Sequence, residues 1–146
     1  MTQTIRVLVA DDHAVVRRAL RLLLDAQADV DVVGESADVK GVVDMSLHLE
    51  PAVVVCDLTM PGGNTLAAIS EIAASGPAVV VLTMQSDPSF AAAALRAGAV
   101  GYLLKESAPE ELVTAVRAAA AGEGYVDPRV SGRLMTRDPG VRRREP

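Results

Sequence analysis

Short, mainly apolar runs alternate along the chain with longer stretches in which apolar residues recur at helical spacing. The runs Ile5 to Ala10, Val30 to Gly34, Ala52 to Cys56, Ala78 to Leu82 and Val100 to Leu104 read as strands. Between them lie helical patterns. Ala14 to Ala26 carries Val16, Ala19, Leu20, Leu23 and Leu24 on one face, and Val39 to Leu49 stops before Pro51. Thr65 to Ala74 has Asn64 as N-cap, and an alanine-rich helix opens at Pro88 and closes at Gly98. A last helix runs to about Ala121, with Ser107 and Glu110 forming a capping-box pattern around Pro109.

Strands that are apolar throughout belong inside a parallel sheet covered on both faces, and βα units of this length imply right-handed crossovers. The expected architecture is α/β: a five-stranded, doubly wound parallel sheet with five helices. Beyond Tyr125 the pattern stops. Residues 1–124 are expected to form one domain and residues 125–146 a linker leading toward a further domain.

Composition narrows the class. At 146 residues, half of them hydrophobic and 23% charged, the chain suits a single core and excludes a disordered or collagen-like protein. No run reaches the roughly 20 apolar residues of a bilayer span, and no signal peptide or membrane anchor is visible. The single cysteine, Cys56, follows three valines and reads as core, which fits a reducing, cytoplasmic setting.

The net charge of −5 is uneven. Residues 1–128 carry 8 Lys or Arg against 17 acids, a balance of −9, while residues 129–146 carry 6 Arg against 2 acids, a balance of +4. The acidic body repels nucleic acid and suits a divalent cation; the basic tail reads as a solvated linker.

In an open parallel sheet, ligands sit beyond the carboxyl ends of the strands where the strand order reverses. The unusual polar residues stand at those ends: Asp11 and Asp12 after the first strand, Asp57 after the third, Thr83 closing the fourth and Lys105 after the fifth. Three ionised carboxylates in company require a positive partner. A hard divalent ion answers that need, and Mg²⁺ prefers oxygen ligands and keeps several waters. Asp12, Asp57 and the backbone carbonyl of Thr59 are the candidate direct ligands, with Asp11 acting through water or as a supporting acceptor. A carboxylate so placed can attack a phosphoryl group, given cations to neutralise the phosphoryl oxygens. Asp57 is the candidate nucleophile, Lys105 the second cation and Thr83 a hydroxyl donor to a third oxygen.

Four segments carry a resemblance: Val-Leu-Val-Ala-Asp-Asp-His, Cys-Asp-Leu-Thr-Met-Pro-Gly-Gly-Asn, Val-Leu-Thr-Met and Gly-Ala-Val-Gly-Tyr-Leu-Leu-Lys. In this order and spacing, over residues 4 to about 122, the chain resembles the receiver domain of bacterial response regulators, most closely the NarL/FixJ family with LuxR-type output. The resemblance implies the flavodoxin/CheY-like receiver fold, Asp57 as phosphoacceptor, and Asp11 and Asp12 as the Mg²⁺ acids. It also implies Lys105 as the phosphate-pairing lysine and Thr83 with Tyr102 as a switch pair, Tyr102 turning inward as Thr83 moves toward the phosphate. Thr59 and Gln85 would border the path of attacking water. Glu106 stands where receivers often have proline, so no cis peptide is expected there.

The function so implied is a phospho-accepting module of a two-component system rather than a turnover enzyme. Its partners would be a sensor histidine kinase, a second copy on phosphorylation, and DNA only through a domain beyond this chain. A stand-alone receiver in a phosphorelay is the alternative. A haloacid dehalogenase-like, Mg²⁺-dependent aspartyl-phosphate phosphatase needs a second acid where Thr59 stands, and a flavodoxin-like cofactor binder needs a phosphate cradle where Asp11 and Asp12 stand. His13 and His48 are given no catalytic role, and Arg17, Arg18 and Arg21 read as a solvated helix face.

Overall fold

A computed structural model describes the backbone of residues 4–137 and the side chains of residues 4–132. The order is β1 (Ile5–Ala10), α1 (Ala14–Asp25), β2 (Val30–Ser36), α2 (Val39–Leu49), β3 (Val53–Cys56), α3 (Thr65–Ala74), β4 (Ala78–Thr83), α4 (Pro88–Ala97), β5 (Gly101–Leu104), α5 (Pro109–Ala120), β6 (Tyr125–Val126) and α6 (Pro128–Arg137). All six strands are parallel, in the order β2-β1-β3-β4-β5-β6. The order reverses between β1 and β3, which is the switch point where such a sheet opens a crevice.

Alternate strand residues feed two cores, as the two-residue period of a strand requires. Leu8, Val54, Cys56, Val79, Val81 and Tyr102 meet Val42, Ile69, Ile72, Ala91 and Ala94 from α2, α3 and α4. Val7, Val9, Val55, Val80 and Leu103 meet Leu24 of α1 and Leu112, Val113 and Val116 of α5. Both faces are covered, which explains why these strands read as unbroken apolar runs.

The expectation of five strands and five helices is corrected to six of each. Residues 125–126 pair with β5 as a two-residue strand, and α6 packs against α4 with Val130 fully buried in the core shared with Tyr102, Ala91 and Ala94. Two strand residues are too few to show a period, and α6 offers only Val130, Leu134 and Met135 in ten residues, so neither element was read from the pattern. Residues 138–146, the rest of the expected linker, lie outside the described residues.

Helix caps mostly follow expectation. Asn64 accepts from the Ala67 N–H at 3.0 Å, and Gly98 closes α4 at φ 121°, a conformation that favours glycine. The expected Ser107–Glu110 capping box does not form. Helix α5 starts one residue later, with Ala108 as N-cap and the Glu111 carboxylate accepting from its N–H, because the Ser107 hydroxyl is engaged by Asp127. On α1 only Leu24 is fully buried, Val16, Leu20 and Leu23 are half-buried, and Ala19 is exposed.

Candidate functional site

Strand register builds the site. Ala10 of β1 lies opposite Cys56 of β3, so the next residues, Asp11 and Asp57, emerge side by side at the carboxyl edge. Backbone bonds fix both: the Asp57 N–H donates to the Ala10 carbonyl and the Asp11 N–H to the Ser36 carbonyl, each at 3.0 Å. Thr83 lies opposite Leu104, which brings Lys105 to the same edge with its N–H on the Thr83 carbonyl at 2.8 Å.

The Lys105 ammonium stands between two acids, 2.7 Å from Asp11 Oδ2 and 3.0 Å from Asp57 Oδ2. The side chains of Asp11 and Asp57 are 1% and 3% exposed and that of Lys105 is 12% exposed, so the trio is held nearly out of water. Burial works against the Lys105 charge, yet the hydrogen bonds to Asp11 and Asp57 outweigh it and hold the lysine above its ordinary pKa. The other oxygen of Asp57, Oδ1, accepts from the Thr59 N–H at 3.2 Å. Asp12 sits farther out, about a third exposed.

One ligand atom each from Asp11, Asp12, His13 and Asp57 lies within 4.8 Å of the others. Three carboxylates form a hard-oxygen donor set, which fits Mg²⁺ by chemistry. His13 was not anticipated. It is the N-cap residue of α1, and although 68% exposed, its Nδ1 lies 3.4 Å from Asp11 and 3.3 Å from Asp12.

Arg17 and Arg21 are likewise not a free solvated face. Arg17 donates to the Asp11 carbonyl at 2.7 Å and to Glu35 at 3.1 Å, and Arg21 donates to Glu35 at 2.7 Å. These bonds, Arg21's foremost, hold Glu35 below the usual carboxylate range. Only the contact geometry between helix and strand reveals this, since the sequence shows a basic cluster and nothing of its partner across the sheet edge.

The two expected switch residues meet at one residue, Gln85. Thr83 Oγ1 accepts from the Gln85 N–H at 3.3 Å, and the Tyr102 hydroxyl donates to the Gln85 carbonyl at 2.7 Å. Tyr102 is fully buried, so the structure already holds the inward position that was expected to follow phosphorylation. Burial, with a smaller contribution from the Asp87 charge, raises the Tyr102 pKa to about 12. Cys56 is core, as expected; burial pushes its thiol up to about 12. Among the described residues no helix is long and apolar enough to cross a membrane.

Such an arrangement can present a buried carboxylate to an electrophile while a fixed ammonium and a metal neutralise incoming negative charge. Comparison with known proteins agrees. The profile of the response regulator receiver domain matches residues 7–117. The transcriptional regulatory protein LiaR of Bacillus subtilis (strain 168) is 38% identical over 135 residues, 91% of this chain and 64% of LiaR. The chain therefore spans a little under two thirds of that relative. Among solved structures, a LuxR-family two-component response regulator from Aurantimonas sp. SI85-9A1 superposes with a TM-score of 0.87 at 33% identity, covering 92% of this chain and 97% of that one. The RcsB response regulator of Salmonella typhimurium, described for its conformational dynamism in DNA interaction, gives 0.86 at 30% identity over 95% of this chain and 69% of that one.

Proposed function

This chain belongs to the response regulator receiver domain family, in its LuxR-type branch, and on that premise we propose that it accepts a phosphoryl group on Asp57 from a sensor histidine kinase. The observation that carries the reading is the Lys105 ammonium bridging Asp11 and Asp57 in a nearly dry pocket.

The carboxylate of Asp57 attacks the phosphorus of the donor phosphohistidine. A P–O bond forms as the P–N bond breaks, and the departing imidazole takes a proton. Lys105 Nζ, already on Asp57 Oδ2, pairs with a phosphoryl oxygen, and the Thr59 N–H steadies Oδ1. Asp11, Asp12 and Asp57 would hold Mg²⁺ together with the Thr59 backbone carbonyl. When bound, that ion neutralises charge on the phosphoryl oxygens. Thr83 serves as the hydroxyl that closes on the phosphate, and its tie through Gln85 to Tyr102 carries the change toward α4.

Phosphorylation adds roughly −1.5 to −2 charges to this edge. The output we assign to that change is self-association and transcription regulation in the cytoplasm, through a DNA-binding domain beyond this chain. Incubation with a small phosphodonor and Mg²⁺ tests the reading: the intact mass should rise by one phosphoryl group, and Asp57→Ala should abolish the gain. A gain that survives the substitution would remove Asp57 from its role.

A further inference from the structure

Asp127 is fully buried, yet no part of the phosphoacceptor chemistry uses it. Its Oδ2 accepts from the Leu104 N–H at 3.2 Å and from the Ser107 hydroxyl. Oδ1 accepts from the Arg129 N–H at 3.0 Å and from its guanidinium at 3.1 Å, and that guanidinium also reaches Ser107 Oγ at 3.0 Å. The Asp127 N–H donates to the Tyr102 carbonyl at 2.7 Å. Burial opposes the carboxylate, but the Ser107, Arg129 and Leu104 donors prevail and hold it below its ordinary pKa.

The ladder between β5 and β6 explains why these bonds form. The pairing ends at Tyr102 opposite Val126, and the Leu104 N–H is the next donor facing the β6 side. The carboxylate oxygen of Asp127 substitutes for the missing strand carbonyl. A buried N–H without an acceptor is costly, so this substitution is strongly specified. Leu104 and Ser107 flank Lys105, whose own N–H is bound to Thr83. One carboxylate therefore grips the Leu104 backbone on one side and the Ser107 side chain on the other side of the lysine that bridges Asp11 and Asp57.

We propose that Asp127 is a positioning residue for Lys105 and that it links the docking of α6 to the state of the phosphoacceptor site. Asp127 sits at the amino end of α6, and Val130, three residues on, is buried against the α4 side of the core. A change that shifts Lys105 loads the carboxylate that anchors α6, and release of α6 frees the lysine loop. Such linkage is reciprocal by thermodynamic necessity. The proposal rests on the reading of Asp57 as phosphoacceptor.

The test uses the full chain. Asp127→Asn keeps a good helix N-cap but replaces one acceptor with a donor and removes the charge. It should slow phosphorylation by a small phosphodonor on the order of tenfold or more. It should also speed amide exchange in residues 128–132. A Lys105→Ala background separates positioning from general destabilisation, with Lys105→Gln in its place if the alanine variant does not fold. There, Asp127→Asn should have no further effect on the phosphorylation rate. An unaltered rate in the single variant, or an equal loss in both backgrounds, overturns the inference alone. A wild-type chain that takes no phosphoryl group overturns the functional reading and this inference with it.

Discussion

The Lys105 ammonium lies 3.0 Å from Oδ2 of Asp57 although 48 residues separate the two in sequence. The same nitrogen holds Asp11 at 2.7 Å, so one cation compensates two buried acids. Lys105→Ala leaves those carboxylates facing each other. In metal-free buffer, urea denaturation should show a loss of stability on the order of 3 kcal/mol, and phosphorylation should slow by roughly 10²-fold. Unchanged denaturation would mean that the pair contributes nothing to the fold.

Tyr102 offers a pH signature. Its folded pKa is about 12 against an ordinary 10.0. Between those values the unfolded chain gives up a proton that the folded protein keeps. Stability from this residue is therefore complete below pH 10 and drains as the pH climbs through 12. Phenolate absorbance should show both tyrosines ionising above the ordinary value, Tyr102 the later of the two, and Tyr102→Phe should flatten the alkaline loss of stability. Two tyrosines titrating together at the ordinary value would contradict the buried phenol.

Arg17 reaches the Asp11 carbonyl at 2.7 Å and ties it to Glu35. Removing a group that orients a metal ligand typically weakens binding. Arg17→Ala should lower Mg²⁺ affinity about tenfold, as measured by calorimetry, without changing the metal stoichiometry. An unaltered affinity would reduce the arginine to a helix-strand clamp.

Val130 tests whether α6 belongs to the folded unit. Truncating a fully buried valine removes two methyl groups and leaves a cavity beside Tyr102 and α4. Val130→Ala should cost about 2 kcal/mol, read by chemical denaturation of the whole chain. A connector residue in water would cost nothing.

The legible and illegible parts of this molecule divide along a physical line. Strands β3 and β5 are buried at every position, β1 from Val7 and β4 from Val79 onward, which made them plain, and Asp11, Asp57, Thr83 and Lys105 were plain because each directly follows or closes such a strand. The apolar stripe of α1 faces the sheet as read but covers it loosely: Leu24 is fully buried, Val16, Leu20 and Leu23 are half-buried, and Ala19 is exposed. His13 and Arg17 gained their places only when the first turn of α1 was set beside Asp11, Asp12 and Glu35. Ser107 had two partners open to it, a local cap and a carboxylate 20 residues on, and the buried carboxylate won. Asp127 gave no periodic signal, since its value lies in pairing across the sheet edge with Leu104, 23 residues before it.

Asp11, Asp12 and Asp57 gather their carboxylates into one hard-oxygen cluster beside Lys105, and the chemistry proposed for this chain follows from that cluster. Calorimetric titration with Mg²⁺ tests it directly. One ion per chain is expected, with binding abolished or severely weakened in Asp12→Asn and in Asp57→Asn. No heat of binding in the wild-type chain, or an affinity indifferent to both substitutions, would contradict it.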